Sequence, residues 1–152
     1  MTILFGTDEW LDSFMQRLNE DEKYRQLAAD YEGSLVFRCF ADPSVHEILA
    51  KDRVFYFDPY RGSIREWRVC EPGEQVDAVY ELSGSYPAWK EVATGKLDIK
   101  KAVLMTRQIK VKGKISDLVR NITAAERIIE VLKEMQGEYV FPDEMESGAR
   151  AS

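Results

Sequence analysis

The stretch from Tyr80 to Gly113, YELSGSYPAWKEVATGKLDIKKAVLMTRQIKVKG, constrains the fold more than any other part of the chain. Val76, Ala78, Tyr80 and Leu82 alternate with Asp77, Val79 and Glu81, the pattern of a strand with one apolar face. Pro87, shortly after Gly84, suits the first turn of a helix that carries Trp89 and Val92 inward, and Gly95 terminates it. A short second helix follows from Asp98. Ile109 and Val111 then alternate with Lys110 and Lys112 in a strand that stops at Gly113. The segment predicts strand, helix, short helix, strand, and contains no catalytic triplet.

The flanks extend this pattern. Thr7 is placed to cap a helix whose positive end carries Asp8 and Glu9, and Trp10, Leu11, Phe14, Met15 and Leu18 recur along it at helical spacing. A second segment, from Asp21 to about Asp30, sets Tyr24, Leu27 and Ala28 on one side. Strands are predicted at Leu35 to Phe40, Val54 to Asp58 and Ile64 to Cys70, the last two joined as a hairpin by DPYRG. In that turn Pro59 presets the backbone and Gly62 supplies positive φ. Between the first two strands, SVHEIL reads as a loop with one helical turn. Beyond Gly113, Ser116 is placed to cap a helix bearing Leu118, Val119 and Ile122. Ala125, Ile128, Ile129, Leu132 and Met135 then form an amphipathic stripe that Gly137 ends. The chain reads as α/β (α+β), with one domain over residues 1–137 and a tail over 138–152. The tail opens with Tyr139, Val140, Phe141 and Pro142, which either pack locally or fold over a groove.

With 152 residues the chain is long enough for one domain with a substantial core. A net charge of −6 argues against nucleic acid as a partner, because phosphate contacts need clustered Lys and Arg. The charge is uneven, however. Lys96, Lys100, Lys101, Arg107, Lys110, Lys112 and Lys114 face only Asp98 in that interval. This stretch is either an edge strand kept soluble by lysines or a face that meets anionic lipid or an acidic partner. No basic N-terminus followed by an apolar run is visible, and no apolar run approaches a membrane span, so the expected location is cytoplasmic.

Residues for catalysis are sparse. His46 is the only histidine, and nothing in the sequence places a Ser or Cys beside it. Cys39 and Cys70 lack zinc or redox spacing and read as small buried hydrophobes. The ATGK run ends a helix where a phosphate-binding loop would begin one, and the sequon at Asn121 is explained more simply by Thr123 as a helix cap. The expectation is no catalytic residue, no metal and no cofactor.

The order of these elements, with SYPAWKEVATGKLDIKKA followed by MTRQIKVKG, resembles the sterol carrier protein 2 family of lipid-binding domains from about Thr7 to Met135. The points of likeness are Trp10 and Leu18, then Trp89, Gly95, Lys96 and Ala102, then Met105, Ile109, Lys110, Val111 and Gly113. They are packing and turn positions, so their order carries more weight than any one of them. The resemblance implies a five-stranded, mostly antiparallel mixed sheet covered by helices, with an apolar tunnel between the layers. That tunnel would hold a sterol, fatty acid, acyl-CoA or phospholipid without enzymatic turnover. A transient contact with a membrane surface or a lipid-metabolising enzyme goes with this reading. The alternative is an accessory interaction module that presents an apolar substrate to a partner enzyme.

Candidate cavity residues are Trp10, Phe14, Phe37, Trp67, Trp89, Met105, Arg107, Ile109 and Ile129, each of which also fits an ordinary core. Arg107 and Gln108 stand where the family usually has Gly followed by Lys. Placed on the last strand, Arg107 would share a face with Met105 and Ile109 and could pair with a ligand carboxylate or phosphate. Alternatively, the strand start is frayed and Arg107 reaches solvent. The chain ends Arg150, Ala151, Ser152 rather than in the peroxisomal tripeptide of many members, so the resemblance implies no organelle.

Overall fold

The computed structural model describes residues 3–144. Thr7 caps helix α1 (Asp8–Asn19) by accepting the Trp10 N–H, with Asp8 and Glu9 in the first turn. Asp21 caps α2 (Glu22–Leu27) through the Tyr24 N–H. Strand β1 (Leu35–Cys39), a short 3-10 turn at Glu47–Leu49, and the hairpin of β2 (Arg53–Tyr60) and β3 (Ser63–Val69) follow. Then come β4 (Tyr80–Gly84), α3 (Tyr86–Thr94), α4 (Ile99–Leu104), β5 (Ile109–Lys112), α5 (Ile115–Arg120) and α6 (Ile122–Glu134). In α3, Ser85 accepts the Ala88 N–H at the start, while Pro87 in the first turn and Gly95, which closes the helix in the left-handed region, stand as the sequence predicts.

The strands form one mixed sheet in the order β3-β2-β1-β4-β5. β1 runs parallel to β4, and the other neighbouring pairs are antiparallel. Alternation then sorts the side chains. Leu35, Phe37, Cys39, Phe55, Phe57, Tyr80, Leu82 and Ile109 face the helices and join the main core, while Val36, Val54 and Cys70 form a small second cluster. Arg38 lies on that second face and pairs with Glu81 at 3.1 Å and Asp52 at 3.4 Å.

Four expectations are corrected here. The strand predicted from Val76 begins only at Tyr80; Val76 and Ala78 instead pack on the second cluster, so their alternation is satisfied by covering the sheet rather than by pairing in it. Pro59 lies inside β2, opposite Ile64 at a register shift, and the turn is made by Arg61 and Gly62, both at positive φ. Ser116 is inside α5, which starts at Ile115 with Lys114 as its cap residue. Thr123 is likewise inside α6, with Asn121 at the cap position.

Gly113 turns the chain from β5 into α5 at φ +124°, and a Cβ there would stand 2.5 Å from the Val79 carbonyl oxygen. Backbone cannot yield as a side-chain tip can. Gly113→Ala is therefore expected to lower stability by about 1–3 kcal/mol, read as a shifted urea midpoint with an unchanged slope. An unchanged midpoint would mean that the β5–α5 turn relaxes freely.

Candidate functional site

The layer between sheet and helices ends in an aromatic cluster. α1 supplies Trp10, β1 supplies Phe37 and Cys39, β2 supplies Phe55, α3 supplies Trp89 and α6 supplies Leu132, with Phe5 just ahead of α1. These residues line an apolar cavity of about 10 Å³. Phe5 and Trp10 rings lie 4.6 Å apart, Trp10 and Phe55 5.1 Å, and Phe37 and Trp89 5.0 Å. The Trp89 indole N–H donates to the Arg38 carbonyl at 2.9 Å, which fixes that ring over the sheet. A ligand pocket usually encloses roughly 300–1,000 Å³, so the space inside this cluster is far smaller than a ligand needs.

One end of the cluster is held by the segment after α6. Val140 bridges Leu4 in parallel fashion; the Phe5 N–H donates to the Val140 carbonyl at 2.9 Å, and the Val140 N–H donates to the Ile3 carbonyl at the same distance. Tyr139 and Phe141 flank that bridge and are buried, with Phe141 5.6 Å from the Phe5 ring and Tyr139 6.1 Å from Trp10. The Tyr86 hydroxyl donates to Asp143, and the Lys90 ammonium reaches Asp143 at 2.8 Å and Glu144 at 3.4 Å. These contacts make a strap across the cluster.

Two polar atoms under the strap lack partners. The Trp10 indole N–H and the Tyr139 hydroxyl approach each other without reaching hydrogen-bond geometry, although the residues are only 2% and 5% exposed. Burial pushes the Tyr139 pKa well above the ordinary phenol value. An unpaired buried donor costs about 1–3 kcal/mol, so the pair is a polar point in an otherwise apolar chamber.

Trp10, Phe14, Phe37, Trp89, Ile109 and Ile129 are all buried between the layers, and Trp10, Phe37 and Trp89 line the cavity itself. Phe14 stacks behind Trp10 at 5.5 Å. Ile129 contributes to the floor of a separate groove of about 350 Å³ on the helical surface, with Leu27, Val92 and Ile99. Trp67 is half-buried at the margin and donates its indole N–H to Asp12 at 2.8 Å.

Two placements change. Met105 follows the last turn of α4 and is 73% exposed. Arg107 precedes β5, is exposed, and has φ 58°, so strand alternation does not extend to it. Met105 thus belongs to the end of α4, and the left-handed step at Arg107 separates it from β5. Sequence reasoning misses Phe5, Cys39, Phe55 and Leu132 as lining residues, whereas Tyr139 and Phe141 belong to the segment that it allows to fold over a groove.

No group in the cluster suits nucleophilic chemistry. Burial raises the Cys39 thiol to about 12, the opposite of an activated thiolate. The His46 Nδ1 accepts the Ile48 N–H at 3.0 Å and so caps the 3-10 turn. Among the described residues no group of three or more His, Cys, Asp or Glu could hold a metal ion, and no helix is long and apolar enough to cross a membrane.

No protein-family model matches the sequence, and no curated protein does. Solved structures do. A crystal structure of sterol carrier protein 2 matches with a TM-score of 0.78 and 28% identity, covering 86% of this chain and 98% of that one. A conserved hypothetical protein from Thermus thermophilus, described as possibly a sterol carrier protein, matches with a TM-score of 0.76 and 28% identity, covering 86% and 88%. A sec-alkylsulfatase from Pseudomonas sp. matches with a TM-score of 0.50 and 18% identity, covering 77% of this chain but 16% of that one. Fold, coverage and identity together show that this chain has the sterol carrier protein 2-like fold.

Proposed function

We propose that this protein carries a single acyl chain or similar apolar molecule, taken up between sheet and helices at the aromatic cluster. The observation that carries the reading is that cluster: a mostly apolar chamber capped by a strap, in a domain matching sterol carrier protein 2 over nearly that protein's full length. Displacing Tyr139 and Phe141 would make room for the chain, and the Trp10 N–H and Tyr139 hydroxyl would meet the polar head. Burying some 14 methylenes contributes roughly 11 kcal/mol at about 0.8 kcal/mol each. Association costs roughly 4–15 kcal/mol, and exposing two aromatic rings adds about 3–6 kcal/mol. Short chains cannot offset that sum.

Affinity should therefore rise about fourfold per added methylene, so palmitate should bind far more tightly than octanoate. Displacement of a fluorescent fatty acid across a chain-length series reads this directly, and a flat series would remove the proposal. Lipid extraction and mass spectrometry of protein purified from cells should return a near-stoichiometric apolar ligand.

Arg107→Ala is expected to weaken palmitate and its methyl ester equally or not at all, since the guanidinium stands outside the chamber. Selective loss of the free acid would instead assign Arg107 to the carboxylate.

A second reading is supported by the sec-alkylsulfatase match, in which this fold occupies 16% of a larger chain. There the domain would present an apolar substrate to a partner enzyme rather than move it between membranes.

A further inference from the structure

The sheet has a free edge at β5, bracketed in sequence by α4 and α5, and both helices pack against α6. Two features coincide along this edge. Leu104, Met105, Ile115 and Val119 are large apolar side chains left exposed, and Val79 joins them where the chain passes Gly113. Lys96, Lys100, Lys101, Arg107, Lys110, Lys112 and Lys114 are all exposed. Among the described residues none of these seven cations forms an ion pair, whereas Arg17, Arg38, Arg61, Arg65, Arg68, Lys90 and Arg127 all do.

Their placement is two-sided. Lys110 and Lys112 point away from the helices, because Ile109 on the same strand points into the core. Lys100 and Lys101 belong to α4 in the helical layer, so cations stand on both sides of the edge, with Lys112 bordered by Glu81 and Asp77 on the outer face. Lysines alone would keep an edge strand from pairing with another chain. That role leaves the exposed Leu104 and Ile115 unexplained. Nor do these apolar residues line the interior cavity or the groove on the helical surface.

We propose that the α4–β5–α5 edge docks on an anionic membrane surface, with the apolar side chains entering the interface and the unpaired cations meeting lipid phosphates. Charge complementarity supports this occupant: the protein as a whole is at −6, so seven unpaired cations gathered on one edge turn it toward a negative surface that the rest of the molecule repels. The proposal builds on the carrier reading by naming where the carrier meets its donor or acceptor.

The test is co-sedimentation with phosphatidylcholine vesicles, with and without phosphatidylglycerol, at physiological salt. Wild type should bind the anionic vesicles only and release them at high salt. Lys110→Glu with Lys112→Glu should cost about tenfold or more in partition, and Leu104→Ser with Ile115→Ser should weaken binding while leaving its salt dependence. Circular dichroism confirms that the variants fold, and fluorescent fatty acid binding is measured on each. Lost vesicle binding with intact fatty acid binding supports the docking edge. Absence of fatty acid binding in wild type would sink the carrier reading alone. Wild type ignoring anionic vesicles, or the charge-reversed variant binding as well as wild type, overturns the proposal. So does light scattering that shows a dimer abolished by Leu104→Ser with Ile115→Ser, which would assign the edge to a second copy of the chain.

Discussion

Phe141→Ala is expected to destabilise the protein by about 3–5 kcal/mol and to speed release of a bound fatty acid. Phe141 is 3% exposed, lies against Phe5, and closes the strap that Val140, Asp143 and Glu144 anchor to Ile3, Phe5, Tyr86 and Lys90. Truncation after Gly137 removes Tyr139 as well and should cost more, so the single substitution serves if the truncated chain fails to fold. Urea unfolding reads the stability change, and stopped-flow displacement of a fluorescent fatty acid reads the off-rate. A destabilised variant with an unaltered off-rate would mean that ligand leaves by another route, and the strap would then be purely structural.

Arg127→Met is expected to lower stability by about 1–3 kcal/mol, because it takes the shared cation away from half-buried Asp21 and from exposed Glu130 and Glu134. Arg127 is only 8% exposed, yet it meets Asp21 twice, at 2.7 and 2.9 Å, Glu134 at 2.9 Å and Glu130 at 3.5 Å. Asp21 also caps α2, so one fork fastens α6 to the start of another helix. The Arg127 hydrogen bonds hold the Asp21 carboxyl below its ordinary value of 3.8. A carboxyl with a depressed folded pKa stabilises fully above its unfolded pKa, and that contribution disappears as pH falls through the folded value. Wild type should thus lose stability from about pH 4 downward, and Arg127→Met should show a shallower acid limb. Equal acid limbs would place the pH dependence elsewhere.

Much of the fold is legible locally. Thr7, Asp21, Ser85–Pro87, Gly95 and Asp98 carry capping chemistry that the backbone obeys within a residue or two, since each acts on neighbours in sequence. Pro59 and Val76 mislead because both sit where a long-range contact overrides the local preference: a register shift in one case, packing across a sheet face in the other. Arg127 is one more helix position along the chain, and only the approach of α2 to α6 makes it a buried ion-pair centre.

The candidate site divides in the same way. Trp10, Phe37 and Trp89 meet in the buried cluster because inward-facing aromatics declare themselves by period. Met105 and Arg107 are misplaced because strand alternation, continued backward from Ile109, runs through a turn whose left-handed step has no sequence signature in an arginine.

By itself the sequence determined the order of elements, the family likeness and a band of cations between Lys96 and Lys114, all of which follow from spacing along the chain. Only the tertiary structure decided that the aromatic interior is closed under a strap from the chain's last described segment, and that those cations stand unpaired on a free sheet edge. Both depend on which distant segments meet, and no local period encodes that.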